Sequence, residues 1–228
     1  MQSVLVVGAS SGIGREIAIL FARGGAKVTA VARREDRLLQ LQAQLSSEGH
    51  PVQIHVGDAT DPAALDGLGD VDILIYATGN NIPDRALTRL TPELWEMMIS
   101  VNLSGAFYAT QAVLPFMRAR KAGLIFYISS RSSIAADESG AAYQAAKRGL
   151  AGIAAAIRVE EKANGIRTCL VCPGLTDTEI LDRRPVKPAA ELLARALKPG
   201  DVAELVLAIA KLPARVWVPE VQILPTDV

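Results

Sequence analysis

The chain has 228 residues, half of them hydrophobic, and its 24 lysines and arginines are matched by 24 aspartates and glutamates. That length and apolar content suffice for one sizeable core, and the balanced charge gives no electrostatic case for a nucleic-acid partner or an anionic membrane surface. The two cysteines, Cys169 and Cys172, stand at a C-x-x-C spacing; on a strand that odd offset points them to opposite faces, so buried small hydrophobes are expected rather than a redox pair or a disulfide.

The first apolar run, Val4–Val7, is too short for a secretory signal and has no basic residue before it, so a cytoplasmic location is expected. Six more short apolar runs follow: Val28–Ala32, Val52–Val56, Ile73–Ala77, Leu124–Ile128, Thr168–Val171 and Val221–Leu224. They are near-continuously apolar, as parallel strands covered on both faces are. Helical patterns lie between them. Arg15–Arg23 stops at Gly24-Gly25, and Glu35–Glu48 stops at Gly49 with Pro51 beyond. Thr91-Pro92 supplies a cap residue and a first-turn proline. The uncharged stretch Met97–Met117 is long enough to span a bilayer, but its Ser100, Asn102, Ser104, Thr110, Gln111 and Pro115 favour a buried helix, with no membrane partner. Asp201 and Glu204 read as a capping-box start for a last helix with an apolar stripe at Val202, Leu205, Val206 and Ile209.

Strand alternating with helix throughout predicts right-handed crossovers and an α/β architecture. The expected fold is a Rossmann-like, doubly wound, mostly parallel seven-stranded sheet with helices on both faces, forming one domain over residues 1–228. Glu179–Gly200 breaks the rhythm with Pro185, Pro188 and Pro199 among charged residues, and is expected to form a substrate loop over the carboxyl ends of the strands, where open α/β sheets bind ligands.

The first strand runs into Gly8-Ala9-Ser10-Ser11-Gly12-Ile13-Gly14, which opens a helix. Glycines let the backbone approach a ligand, and a helix start presents free N–H groups and a positive dipole end, a combination suited to a pyrophosphate. The second strand ends in Ala32-Arg33-Arg34, with no carboxylate to hold a ribose 2′-hydroxyl. Two guanidiniums there, with Arg15 nearby, favour NADP over NAD as cofactor. Asp58, after the third strand, suits either the adenine amino group or a turn.

Tyr143-Gln144-Ala145-Ala146-Lys147 places a phenol and an ammonium on one helix face. A cation beside a phenol lowers its pKa, and a phenol so tuned can exchange a proton with an alcohol or carbonyl near neutral pH. The only histidines, His50 and His55, sit in a turn and an apolar strand, so no metal site is expected.

These pieces resemble the short-chain dehydrogenase/reductase family, in its compact single-domain branch. The resemblance covers nearly the whole chain and rests on Gly8-x3-Gly12-x-Gly14, Asn102 in Val101-Asn102-Leu103, Ser129-Ser130, Tyr143-x3-Lys147, and Pro173-Gly174 with Thr178. It implies that Tyr143 is the acid/base acting on the substrate oxygen. Lys147 would lower its pKa and hold the nicotinamide ribose. Ser130, thirteen positions before Tyr143, would hydrogen-bond the substrate oxygen, with Ser129, Ser132 and Ser133 as rivals. Asn102 would bind a water linking Lys147 to solvent. Pro173, Gly174 and Thr178 would contact the nicotinamide carboxamide. The resemblance also implies a dimer or tetramer built through the helix after Thr91 and the helix bearing Tyr143.

Two departures stand out. Val7 occupies a position where the family usually has Thr, and Tyr76-Ala77-Thr78-Gly79 stands where Asn-Asn-Ala-Gly is usual. Tyr76 either fills the space left by those side chains or belongs to the core. The expected function is an NADP(H)-dependent oxidoreductase interconverting a secondary alcohol and a ketone or aldehyde. The alternative is a catalytically silent NADP-sensing or interaction protein on the same fold, which would need none of Ser130, Tyr143, Lys147 and Asn102.

Overall fold

The computed structural model describes residues 2–226. Seven strands form one sheet in the order β3-β2-β1-β4-β5-β6-β7: β1 Ser3–Val7, β2 Lys27–Ala32, β3 Gln53–Val56, β4 Ile73–Tyr76, β5 Gly123–Ile128, β6 Ile166–Pro173 and β7 Glu220–Ile223. Every neighbouring pair is parallel, so each connection is a crossover; the link from β3 to β4 has only the short helical turn Pro62–Leu65, and the others are carried by α1 Gly12–Arg23, α2 Glu35–Ser47, α3 Pro92–Ile99, α4 Gly105–Arg120, α5 Ala141–Glu160, α6 Ala190–Arg195 and α7 Pro199–Ala210.

The strand alternation divides the molecule into two cores. Val4, Val6, Ile73 and Ile75 face α1, α2 and α7 through Ile17, Leu38, Leu41 and Val202. Leu5, Val7, Leu74 and Tyr76 face the other way, against α4 and α5 through Ala106, Val113, Leu150 and Ala154. Each fully buried aliphatic side chain in these layers contributes roughly 1.5–3 kcal/mol. Cys169 belongs to the first core and Cys172 to the second, both as free thiols, as the odd spacing predicts. The near-continuous apolar pattern holds for the central strands, whereas the edge strands β3 and β7 lie partly open to solvent.

Two helix readings are corrected. Met97–Met117 is not one helix: α3 gives way to a π-helical segment, Ser100–Ser104, before α4 begins. Among the described residues no helix is long and apolar enough to cross a membrane. The last helix is capped at Lys198 rather than at Asp201 and begins at Pro199: the Asp201 carboxylate sits at the third helical position and accepts the Lys198 backbone N–H at 2.7 Å; Glu204 takes no part in that cap. At the start of α3 the Thr91 hydroxyl accepts the Leu94 N–H at 3.3 Å, as its sequence position predicts.

Candidate functional site

β1 has β2 on one side and β4 on the other, so the connections leaving β1 and β4 part to opposite faces and open a crevice at the strands' carboxyl ends. A cleft of about 920 Å³ occupies this crevice. Its lining includes Gly8, Ser10, Ser11, Gly12 and Ile13 from the glycine loop, Arg33, Arg34 and Asp58 from the next two strand ends, and Ser130, Tyr143, Lys147, Pro173, Gly174 and Thr178 from the far side. One cavity thus gathers residues drawn from five connections. Gly14 and Asn102 do not line it; they act from behind its wall.

The glycine loop has the shape a phosphate needs. Gly8 has φ +98°, and a Cβ on it would lie 2.7 Å from the Thr78 backbone nitrogen. A Cβ on Gly14 would collide with the Gly8 carbonyl, so the absence of both side chains lets α1 seat against the loop. Ser11 caps α1 without a side-chain hydrogen bond, and no acidic residue lies in the first turn. The helix start is therefore free to meet an anion with its N–H groups and dipole. The loop does not depend on a Thr before Gly8. Backbone bonds hold it, from the Gly8 and Ala9 N–H groups to the Val31 carbonyl at 2.8 and 3.1 Å and from the Ala77 N–H to the Val7 carbonyl at 2.8 Å.

At the tip of β2 the two arginines differ. Arg33 is exposed, with Asp58 3.5 Å away. Arg34 folds back over the loop: Nε and Nη2 reach the Ser10 hydroxyl at 3.2 and 3.1 Å, Nη2 reaches Ser11 at 2.6 Å, and Nη1 donates to Glu179 at 2.8 Å. Arg15 is instead bound to Gln44 at 2.6 Å and lies 3.4 Å from Glu16, which removes it from the cluster of cations expected there. Asp58 makes a turn, accepting the Thr60 N–H and hydroxyl at 3.0 and 2.9 Å.

At the other end of the cleft α5 presents Tyr143 and Lys147 one turn apart. Lys147 is buried, donates from Nζ to the Ile128 carbonyl at the end of β5 at 3.0 Å, and stands 5.6 Å from the Tyr143 ring centroid. Its pKa is pulled down to about 8 by burial, slightly offset by the nearby Cys172. The Tyr143 phenol is pushed up to about 12, first by burial; a hydrogen bond with Ser130 works against this, the charge of Asp137 adds to it, and Arg184 opposes it. Burial is thus the largest influence on both groups, and the charges that act on the phenol are those of Asp137 and Arg184.

The serine rivals separate cleanly. The Ser129 hydroxyl is buried and donates to the Lys147 carbonyl at 3.1 Å, and Ser133 donates to the Ser130 carbonyl at 2.6 Å. Ser132 is buried and donates to Asp137 at 2.5 Å. Ser130 alone both lines the cleft and bonds the phenol. Its hydroxyl donates to Ser132 Oγ at 3.0 Å and accepts the Ser132 N–H at 3.1 Å. Asp137 was not foreseen; only its closeness in sequence to the serine cluster signals it.

Asn102 sits in the π-helical segment, fully buried. Its Oδ1 accepts the Asn80 N–H at 3.1 Å, and its Nδ2 donates to the Asn80 and Met98 carbonyls at 3.0 and 2.9 Å. The amide thus clamps the loop after β4. Gly79 lies between it and Lys147: a Cβ there would stand 3.4 Å from Nζ and 3.5 Å from Asn102 Oδ1.

The sheet order and the cleft at its switch point define a Rossmann-like α/β protein. The profile of the short chain dehydrogenase family matches residues 2–188, and the chain belongs to that family, a family of oxidoreductases. An uncharacterised oxidoreductase of Staphylococcus saprophyticus is 34% identical over 89% of this chain and 87% of its own length. Among solved structures, the closed form of a serine dehydrogenase complexed with NADP+ superposes with a TM-score of 0.89 at 31% identity, covering 97% of this chain and 94% of that one. An alcohol dehydrogenase from the archaeon Thermococcus sibiricus, complexed with 5-hydroxy-NADP, gives 0.87 at 28% identity over 99% of this chain and 97% of the other.

Proposed function

We infer that the protein is an NADP(H)-dependent oxidoreductase that interconverts a secondary alcohol and a ketone or aldehyde. The observation that carries this reading is the reach of a single cleft, from the glycine loop and Arg34 at one end to Ser130, Tyr143 and Lys147 at the other. NADP(H), when bound, supplies or accepts the hydride. The chain's own part is to hold a phosphate on the loop backbone, to attract a 2′-phosphate with Arg33 and Arg34, and to manage one proton at the substrate oxygen. Two solved relatives named above carry NADP+ or an NADP derivative, which supports the choice of cofactor.

Tyr143 is the group assigned to that proton, and Ser130 is assigned to position the substrate oxygen beside it. Lys147 faces the same space with a depressed pKa, so a small change in its surroundings near neutral pH alters its charge. A negatively charged cofactor in the cleft would stabilise its ammonium and, through it, the phenolate. Pro173, Gly174 and Thr178 are assigned to the nicotinamide end, and Asn102 to holding the wall behind Lys147. The segment Glu179–Gly200 is read as the substrate loop. A dimer or tetramer in the cytoplasm completes the reading; Phe107 and Phe116, both exposed on α4, are apolar surface that such assembly would cover.

The test is loss of NADPH absorbance against a panel of ketones, aldehydes and keto acids. Turnover by the native chain that vanishes in Tyr143→Phe, with NADPH binding retained, is the expected result. Full activity of Tyr143→Phe would remove the assignment of the proton to this phenol. Tight NADPH binding without turnover on a broad panel would favour a silent sensor.

A further inference from the structure

Arg34 is the residue best placed to meet a 2′-phosphate, yet beside its bonds to Ser10 and Ser11 it already holds an anion. Glu179 Oε2 accepts from Arg34 Nη1 at 2.8 Å, and Glu179 Oε1 lies 3.6 Å from Arg37 Nη2. The carboxylate therefore bridges two guanidiniums at the rim of the cleft, as an anionic oxygen of a ligand would. Hydrogen bonding to Arg34 holds the Glu179 carboxyl below the usual carboxylate range, with burial opposing and the Arg34 and Arg37 charges adding, so it is ionised at neutral pH.

The position of this glutamate is not accidental to the cleft. It opens a short helical turn, Glu179–Arg183, directly after Thr178. Thr178 in turn abuts the glycine loop, for a Cβ on Gly12 would lie 3.2 Å from its Cγ2. Arg34 thus ties three things together: the hydroxyls of Ser10 and Ser11, the tip of β2, and the beginning of the segment that covers the strand ends.

We propose that Glu179 is a specificity-determining residue for the cofactor, its carboxylate taking on Arg34 and Arg37 the place that the 2′-phosphate of NADP(H) would occupy. This rests on the reading of the cleft as a site for a nicotinamide dinucleotide. The two anions cannot share the same guanidiniums at hydrogen-bond distance, because like charges a few ångströms apart repel. The phosphate must displace the carboxylate, whereas NAD(H), with a 2′-hydroxyl, leaves the Arg34–Glu179 pair in place. Glu179 thus weakens NADP(H) without weakening NAD(H), and narrows the preference that the two arginines create. An exposed ion pair is weak in itself, so displacement is within reach of a phosphate that brings two charges.

Fluorescence titration of NADPH and NADH against the native chain, Glu179→Gln and Arg34→Ala tests this. Glu179→Gln is expected to tighten NADPH by about twofold to fivefold, the order of an exposed charge interaction, with the NADH affinity essentially unchanged. In the Arg34→Ala background, Glu179→Gln should no longer improve NADPH. Native binding of NADPH with an unchanged NADPH-to-NADH ratio in Glu179→Gln would overturn the proposal and leave the function standing. Failure of both native chain and variant to bind either dinucleotide would overturn both.

Discussion

The Tyr76 hydroxyl donates to the Val101 carbonyl at 2.7 Å, across from the end of β4 to the π-helical segment that carries Asn102. Tyr76 is fully buried, and burial raises its pKa, with a bond to Thr78 opposing, so the phenol stays a neutral donor. The bond accounts for one departure from the usual family pattern. The tyrosine belongs to the core rather than to the cofactor loop, and from there it supports the turn that positions Asn102. It also dictates its surroundings: a side chain at Gly105 would collide with the hydroxyl, which is why the residue after the π-helical segment is glycine.

Tyr76→Phe removes the hydroxyl and leaves a buried carbonyl short of a partner. The expected cost is about 1–2 kcal/mol of unfolding free energy, read by chemical denaturation. Because Asn102 clamps Asn80 from the same segment, the loop Ala77–Asn81 should also become more labile, visible as faster amide exchange at Asn80 than in the native chain. A loss of stability with no change in exchange there would separate the core role from the site.

A second chain of contacts runs from the phenol outward: Tyr143 to Ser130, Ser130 to Ser132, and Ser132 to Asp137. Asp137 is exposed and also accepts the Ser139 N–H at 2.8 Å. Its charge raises the Tyr143 pKa, so Asp137→Asn should lower it. In alcohol oxidation, which needs the phenol deprotonated, the inflection in the pH profile of kcat/KM should move to lower pH, and the shift should shrink as salt screens the charge. An inflection that moves upward or stays fixed at low salt would mean that Asp137 acts only on the conformation of its loop.

Much of this was legible in the chain itself. All seven strands, the capped start at Thr91 and the glycine loop follow from local pattern, because each element's pattern agrees with the fold that contains it. The π-helical break at Ser100–Ser104 left no such mark: one of its carbonyls, that of Val101, accepts a hydroxyl from Tyr76, 25 residues away, and local apolar periodicity does not encode such a contact. The start of the last helix lies three residues before the one its sequence suggests, because an Asp can serve a helix start either as the cap residue or from the third helical position, as Asp201 does. At the site, residue types were readable but partners were not. Arg15 looked available for phosphate until Gln44 appeared beside it, and Glu179 looked like a surface charge until the fold brought it to Arg34.

Lys147 makes the protonation state of the site a stability measurement. Its pKa is pulled down to about 8 by burial from 10.5, so between those values the unfolded chain binds the proton that the folded chain has released. The unfolded state then holds more protons, and unfolding free energy rises with pH across that window. The benefit is lost as pH falls through about 8. Tyr143, raised from 10.0 to about 12, acts in the opposite sense at higher pH, where the folded chain keeps a proton that the unfolded chain gives up. Denaturant titrations of the native chain and Lys147→Met at about pH 7.5, 8.5 and 9.5 isolate the lysine. Their difference should grow in favour of the native chain by roughly 2 kcal/mol over that range, because only the native chain has the slope. A constant difference would show that the buried ammonium keeps its proton, and that the Ile128 carbonyl holds it more firmly than burial opposes it.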